Sequence, residues 1–526
     1  MAYIAPNSTI KILANVPISP DQSNTLWFAP GGDQLTYFNS KVRMTFDAQS
    51  YQRATKNTCR LNVNADLVDD CNYMMFQNTA FSTKWFYAFI TNVEYINTNV
   101  TEITYQIDDI QTWLFQYETP ACFVERSHSS TDDIGDNITP ESVNTGEYIL
   151  NGGWQTIVDY SDSVIILMMS DLTNYGGTFY DRIYGACTLY MYHSTMTGKQ
   201  ALEDFITQNA PQFSAIVGIY MLPVNLLPDI YQQNDFTDGD HIVGTLTVTP
   251  KIWAQVPALT GSETLDGYTP KNKKLYTYPY NFLHVTNNQD GALELRYEFF
   301  DNLKPKFETG GNLTPPVGCI IFPKGYKNSD PGTDGITDFS ESLSLANFPM
   351  CSYSLDSYIA WLSQNLVPSV IRMAGGSIGQ ATSGNIKGAG LGLLSSATEL
   401  AAQGYEASIA GDIVKGNLYN GSTMFANNLM RFWCVRASVN ADYARRIDDY
   451  FTAFGYAQNK VMIPNPHRRS RFTYIKTVDC LVKGLIPAEA ARNIAAAYNR
   501  GVRFWADTGP HCGDLNVDLY PNNLLS

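Results

Sequence analysis

The chain has 526 residues, of which 44% are hydrophobic, 13% aromatic and only 16% charged. So little charge with so many rings excludes a disordered chain, a long coiled coil or a helical-repeat array. Lys plus Arg number 35 against 50 Asp plus Glu, a net charge of −15; this is opposite in sign to a whole-protein nucleic-acid binder, whose affinity comes from neutralising phosphate.

Residues 1–16, MAYIAPNSTIKILANV, lack a basic stretch followed by an apolar run, so no signal peptide is expected. Nor does any uninterrupted apolar run reach the ~20 residues of a membrane helix. Residues 86–96 (FYAFITNVEYI) are rich in aromatic and β-branched residues, and Asn97-Thr98-Asn99 follows as a turn. Residues 100–107 then alternate, with Ile103, Tyr105 and Ile107 on one face and Glu102, Thr104 and Gln106 on the other. That pattern predicts a hairpin with one buried face. Further strands are predicted at 160–169, 245–248, 293–299 and 318–322. Turn clusters stand between strands, as at Asn151-Gly152-Gly153 and Ser329-Asp330-Pro331-Gly332. Short strands with regular turn signals predict a mainly β fold with a few helices.

Helices are expected late. One is DSYIAWLSQN, residues 356–365. The clearest is AEAARNIAAAYNR, residues 488–500, with Pro487 at its start, Gly501 past its end, and Ala491, Ile494 and Tyr498 on one face. Residues 502–505 read as a strand leaving it. No internal repeat at a fixed period is visible.

Residues 373–411 differ from the rest. They are nearly all Gly, Ala, Ser and aliphatic, with Lys387, Glu399 and Glu406 as the only charges and Tyr405 as the only ring. On a helical wheel Leu391, Leu394, Ala397, Ala401, Tyr405 and Ile409 share one side, and Ser395, Ser396, Glu399, Gln403 and Glu406 the other. One reading is a small-residue helix packed on a neighbour, or a linker. The other is a membrane-active or channel-plugging insert, since small residues let helices approach closely in lipid. The uncharged flanks of Lys387 are each shorter than a span. One copy therefore inserts poorly, whereas several in a ring line a pore with Glu399 and Glu406.

Motifs for covalent chemistry are absent: no P-loop, dinucleotide fingerprint, HExxH or GxSxG. The nine Cys are irregularly spaced without CxxC, which predicts free thiols rather than disulfides or zinc. His511-Cys512 is adjacent in sequence, which does not support a nucleophile pair. Glu125-Arg126 with Asp132-Asp133 reads as a polar loop with local ion pairs in preference to a glycoside-cleaving carboxylate pair. The basic run His467-Arg468-Arg469-Ser470-Arg471 reads as a subunit contact or solvated loop before a DNA-backbone contact.

Several blocks carry a family resemblance. FYAFITNVEYINTNVTEITYQID (86–108) leads into DIQTWLF (109–115), CFVERSH (122–128) and Pro140-Glu141. KLYTYPYNFLHVTN (274–287) and LELRYEFF (293–300) follow, then FPMCSYSLDSYIAWLSQN (348–365), DDYFTAFGYAQNKVMIPN (448–465), RFTYIKT (471–477), GLIP (484–487) and GVRFW (501–505). In this order they resemble the tail-knob, or distal tail, proteins of small short-tailed phages infecting Gram-positive bacteria. Residues 142–270 match no block of that family.

The resemblance implies β-barrel tube-like domains closing into a hollow hexamer, a virion structural protein and not an enzyme, with no cofactor and no metal. It implies a hydrophobic insert between the DxYxxWLxxN helix and the DDYFxxxGY block, where the Gly/Ala-rich segment lies. In the family that insert plugs the tube and then opens the host membrane. The residues expected to act as plug and membrane contacts are Val370, Ile371, Met373, Ile378, Ile386, Leu391, Leu393, Leu394, Leu400, Tyr405, Ile409 and Ile413, with Glu399, Gln403 and Glu406 lining the pore.

The expected domains are 1–125, an N-terminal tube-forming β domain; 126–270, an inserted knob lobe; 271–365, the first part of a second tube domain; 366–416, the insert; and 417–526, the rest of the tube domain. Expected partners are further copies in a homo-hexamer, upper tail or connector proteins, phage DNA passing without sequence-specific binding, and the host cytoplasmic membrane. The protein is expected to be made in the host cytoplasm and to sit at the virion tail tip. The rival functions are a receptor-binding tail spike or other β-rich virion protein, and a secreted carbohydrate-active enzyme.

Overall fold

The computed structural model describes residues 7–49, 57–79, 82–160, 162–169, 188–193, 200–202, 204, 216–227, 251–253, 256–288, 291–313, 317–327, 341–346, 348, 350–354, 413–417 and 430–525. The chain is mainly β, as its sequence predicts. It divides into two compact units of interleaved stretches. Unit 1 is Met1–Asn144, Pro270–Leu275 and Asp442–Ser526; unit 2 is Thr145–Thr269 and Tyr276–Ala441.

Unit 1 opens with a six-stranded antiparallel sheet. Its strand order is Val42–Gln49, Ser8–Ala14, Cys71–Asn78, Phe86–Asn97, Val100–Ile107, Thr58–Leu61. The predicted hairpin supplies its fourth and fifth strands, paired from Ala88↔Ile107 to Asn97↔Val100, and Ile103 and Tyr105 are buried as the alternation requires. Successive side chains point to opposite faces of a strand, so Ile12 and Leu13 enter different cores. Ile12 packs with Met74, Ala88 and Ile103. Leu13 packs with Phe38, Tyr73, Phe89, Phe472 and Trp505. The second core thus joins N-terminal residues to residues near the far end of the chain.

Those late residues belong to a five-stranded sheet ordered Asn24–Leu26, Val502–Trp505, Phe472–Val478, Cys122–Ser127, Tyr456–Met462. Asn24–Leu26 runs parallel to its neighbour, and the other pairs are antiparallel. The helix Ala488–Arg500 forms as predicted between Pro487 and Gly501, and Gly501 has φ 100°. Its buried stripe is Ala490, Ile494, Ala497 and Tyr498, which meets Ile475 and Phe504. Ala491, expected on that face, is half-buried because the stripe is centred one residue earlier. The helix Ala441–Phe454 was not predicted; Ala444, Ile447 and Phe451 bury its inner face.

Among the described residues, unit 2 contains three sheets. The first is ordered Tyr148–Asp159, Arg431–Val439, Asn281–Thr286, Ala292–Leu295. Asn151-Gly152-Gly153 lies inside its first strand instead of forming a turn. The register steps from Asn151↔Arg436 to Gln155↔Cys434 there, and Gly152 takes φ 84°, so the glycines serve a bulge. The strand expected over 293–299 ends at Leu295. The Arg296 N–H donates to the Tyr326 hydroxyl and leaves the ladder, and Tyr297–Phe299 turns as a 3-10 helix. The predicted strand at 160–169 is Ser163–Met169, and that at 318–322 is Gly318–Pro323. The elements expected at 245–248, 329–332 and 356–365 lie outside the described residues.

The second sheet is ordered Thr188–His193, Ser163–Met169, Ile216–Pro223, Met350–Ser354, Ile413–Asn417. Its last two strands pair from Met350↔Asn417 to Ser354↔Ile413. The chain therefore enters and leaves residues 355–412 at directly paired positions. The third sheet is ordered Ile252–Trp253, Phe307–Asn312, Gly318–Pro323, Leu343–Leu345.

Candidate functional site

Four of the sequence blocks meet in one sheet of unit 1. Strand Cys122–Ser127, from CFVERSH, lies between Tyr456–Met462, from the DDYFTAFGY block, and Phe472–Val478, from RFTYIKT. Val502–Trp505, from GVRFW, flanks the latter. Under this sheet Glu141 accepts from Lys274 Nζ at 2.7 Å, from the Arg126 guanidinium, and from the Ala457 N–H at 2.8 Å. Side-chain exposure is 1% for Glu141, 2% for Lys274 and 12% for Arg126. Burial holds Lys274 below its ordinary pKa, against the opposing pull of Glu141. Three distant stretches are thereby tied by one carboxylate.

A second buried carboxylate, Asp448, sits on the inward face of the Ala441–Phe454 helix. It accepts from the Lys271 N–H at 2.7 Å, the Asn272 N–H at 3.0 Å and Asn272 Nδ2 at 2.6 Å. Such a carboxylate, desolvated but held by several N–H groups, stabilises only this one chain path, because any other leaves it unpaired. The Tyr456 hydroxyl bridges Asn272 Oδ1, at 3.1 Å, to Asp132. Burial raises the pKa of Asp132 from its ordinary value, against the pull of the Tyr456 hydroxyl and Arg469.

His128 is locked as a neutral ring. Its Nδ1 accepts from the Tyr474 N–H at 2.8 Å, which leaves Nε2–H to donate to the Thr452 carbonyl at 3.0 Å. Burial, reinforced by nearby Arg469, lowers its pKa to about 3.

The other sequence candidates resolve as structural contacts. Glu125 pairs with Lys476 at 2.8 Å, and Asp133 is exposed, so neither joins Asp132 in an acid–base pair. His511 stacks on Tyr520 with ring centroids 3.7 Å apart, and burial pushes the Cys512 thiol up to about 12, which leaves no thiolate nucleophile. Seven cysteines are free among the described residues.

The basic run is neither a solvated loop nor an open DNA contact. Arg471 is buried and donates to the carbonyls of His511, Asp514, Asn516 and Tyr520. Asn522 Oδ1 accepts from the Arg471 and Phe472 N–H groups. His467 stacks on Trp27 at 3.7 Å. The run fastens residues 511–525 to the sheet, which no local sequence signal announces.

Asp108 caps the helix Asp109–Trp113. Its Oδ1 accepts from the Gln111 N–H at 3.0 Å and its Oδ2 from the Tyr73 hydroxyl at 2.9 Å. Burial outweighs these bonds and pushes its pKa up to about 6. A carboxyl with a raised folded pKa contributes stability below its unfolded pKa and loses it as pH rises through the folded one. Stability of unit 1 should therefore fall by up to about 3 kcal/mol on this account between pH 4 and pH 7. Urea unfolding of Asp108→Asn should show that part of the slope removed; an unchanged slope would refute the assignment.

Of the expected plug residues, Ile413 is placed in the strand paired with Ser354. Val370, Ile371, Met373, Ile378, Ile386, Leu391, Leu393, Leu394, Leu400, Tyr405 and Ile409, with Glu399, Gln403 and Glu406, lie outside the described residues. No helix among the described residues is long and apolar enough to cross a membrane.

Residues 254–518 match the family described as Bacillus phage phi29, tail knob protein gp9, C-terminal domain. Residues 6–118 match the caudoviral major tail protein N-terminus. The chain is 26% identical to tail knob protein gp9 of Bacillus phage PZA, with 100% of both chains covered. It is 25% identical to that of Bacillus phage phi29, covering 96% of this chain and 98% of the relative. The fold is similar to the bacteriophage C1 tail knob protein gp12 at a TM-score of 0.65 and 14% identity, covering 98% of this chain and 100% of that one.

Proposed function

The chain belongs to the family of the phi29 tail knob protein gp9, a structural component of short-tailed phage virions and not an enzyme, and on that premise we propose that six copies close into a hollow ring at the tail tip. The β domains form the wall, joined above to upper tail or connector proteins. Genome DNA passes through the lumen without sequence-specific contact; the net charge of −15 suits a wall that repels DNA and does not hold it.

Residues 366–412, the insert short of the strand Ile413–Asn417, block the lumen before infection and then enter the host cytoplasmic membrane. The pairing of Ser354 with Ile413 supports this reading most, because it gathers both ends of the Gly/Ala-rich excursion on one narrow base. Released from such a base, a segment of small and aliphatic residues meets lipid while Glu399, Gln403 and Glu406 face water. Ionised glutamate is costly at membrane depth, so acidification favours insertion.

The test compares the full chain with a variant lacking residues 355–412. Negative-stain images of the full chain should show six-fold rings with a blocked centre, and those of the variant open rings. Only the full chain should release dye from anionic vesicles, faster at pH 5 than at pH 7. A chain that stays single at high concentration would end the ring proposal. Leakage independent of residues 355–412 would end the plug proposal, and leakage independent of pH the role of the glutamates.

A further inference from the structure

The basic run His467-Arg468-Arg469-Ser470-Arg471 holds one group that the fastening of residues 511–525 does not use. Arg469 is 7% exposed, and its Nε and Nη2 have no hydrogen-bond partner among the described residues. These two nitrogens form the side-on edge of a guanidinium, whose parallel N–H bonds match two oxygens of a carboxylate or phosphate. Nothing polar among the described residues meets that edge.

Charge points the same way. His128 lies within the field of three guanidiniums, Arg469, Arg503 and Arg126. Arg126 has its carboxylate in Glu141. Arg503 spends Nη1 on Asn24 Oδ1 and Nη2 on the Ala453 carbonyl, and its buried Nε has no partner. Neither Arg469 nor Arg503 has a carboxylate within 4 Å among the described residues. Asp132 feels the charge of Arg469 but accepts from the Tyr456 hydroxyl and the Lys273 N–H. His128 cannot supply an anion, since both ring nitrogens are engaged in the neutral state. A buried cation without a partner is strongly destabilising. Asp132 offsets part of this charge from a distance, but no described group accepts from the Nε and Nη2 edge.

We propose that Arg469 Nε and Nη2 hold a small oxyanion of the phosphate class inside unit 1, in the neighbourhood of His128 and Tyr456, where it helps to neutralise the buried guanidinium. The C-terminal stretch runs along this part of the chain: Arg469 bridges to Leu524, the Ser470 N–H donates to the Asn523 carbonyl, and the Leu525 N–H donates to the Arg468 carbonyl. At 7% exposure the fork is closed to a polymer backbone. The ligand is therefore a free oxyanion, not a phosphodiester of DNA.

Thermal unfolding of the full chain tests this at constant ionic strength, with inorganic phosphate replacing chloride. Ligand that binds only the folded state raises its stability with concentration, so the midpoint of unit 1 should climb by about 5 °C once phosphate exceeds its dissociation constant about 100-fold. Duplex DNA at the same phosphate content should add nothing. Arg469→Met should abolish the dependence on phosphate, and Arg468→Met should keep it. If Arg469→Met does not fold, phosphate titration of the wild-type chain by calorimetry decides, with one site per chain expected. Equal midpoints in phosphate and chloride, or a rise given by DNA and not by free phosphate, would overturn the proposal.

Discussion

Glu141→Gln is expected to destabilise unit 1 by about 3–5 kcal/mol, the usual cost of removing one partner from a buried ion cluster. The amide still accepts from the Ala457 N–H, but it leaves Lys274 and Arg126 without their counter-charge. Arg126 cannot lose its proton. Lys274 can, and burial already holds its pKa below the ordinary value. The variant should therefore be unusual in its pH response. A lysine whose folded pKa is lowered binds fewer protons folded than unfolded, so stability rises with pH. The deficit measured by urea unfolding should shrink from pH 6 to pH 9. Adding Lys274→Met should recover part of the loss at pH 6, because it removes the stranded charge and keeps most of the volume. A deficit below about 1 kcal/mol would place the cluster with exposed ion pairs and refute its role in holding three stretches together.

That cluster marks where local sequence reading ends. The hairpin of Phe86–Asn97 and Val100–Ile107 was legible because alternation of period two spans it, and the helix Ala488–Arg500 because Pro487 and Gly501 bound it. The helix Ala441–Phe454 carries an apolar stripe at Ala444, Ile447 and Phe451, but Arg445, Arg446, Asp448 and Asp449 interrupt the pattern. One of these, Asp448, faces inward. Its donors stand 176 residues earlier, at Asn272, so nothing nearby explains a buried charge. Arg471 repeats the point: four carbonyls from a later stretch make a structural fastening of what reads as a basic surface run. The family resemblance reached further because the blocks it rests on, 122–128, 448–465, 471–477 and 501–505, are neighbours in the sheet. Their order in the chain records contacts that periodicity cannot express.

The largest single effect is expected at Gly455, where the helix Ala441–Phe454 turns into the strand Tyr456–Met462. Its φ is +66°, and its N–H closes the helix on the Phe451 carbonyl at 2.7 Å. A Cβ here would lie 2.3 Å from the His128 nitrogen and the Ser127 carbonyl carbon, and 2.4 Å from the Ser127 oxygen. These are backbone atoms of the neighbouring strand, so no side chain can rotate away to relieve the clash. The Gly455 carbonyl also accepts from Arg126 Nη1 at 2.6 Å. Moving the turn outward therefore loosens the guanidinium that serves Glu141. Gly455→Ala should cost more than about 4 kcal/mol, beyond the range of ordinary substitutions, or prevent unit 1 from folding. Gly31→Ala provides the comparison within the same unit. Gly31 also has a positive φ, +76°, but nothing stands within 4 Å of its Cβ position. Only the left-handed backbone then opposes alanine, at about 1–2 kcal/mol. Unfolding midpoints of the two variants separate conformational strain from close approach. Equal losses would mean that strand Cys122–Ser127 can yield, and that the tight junction at Gly455 does not fix the geometry around Glu141.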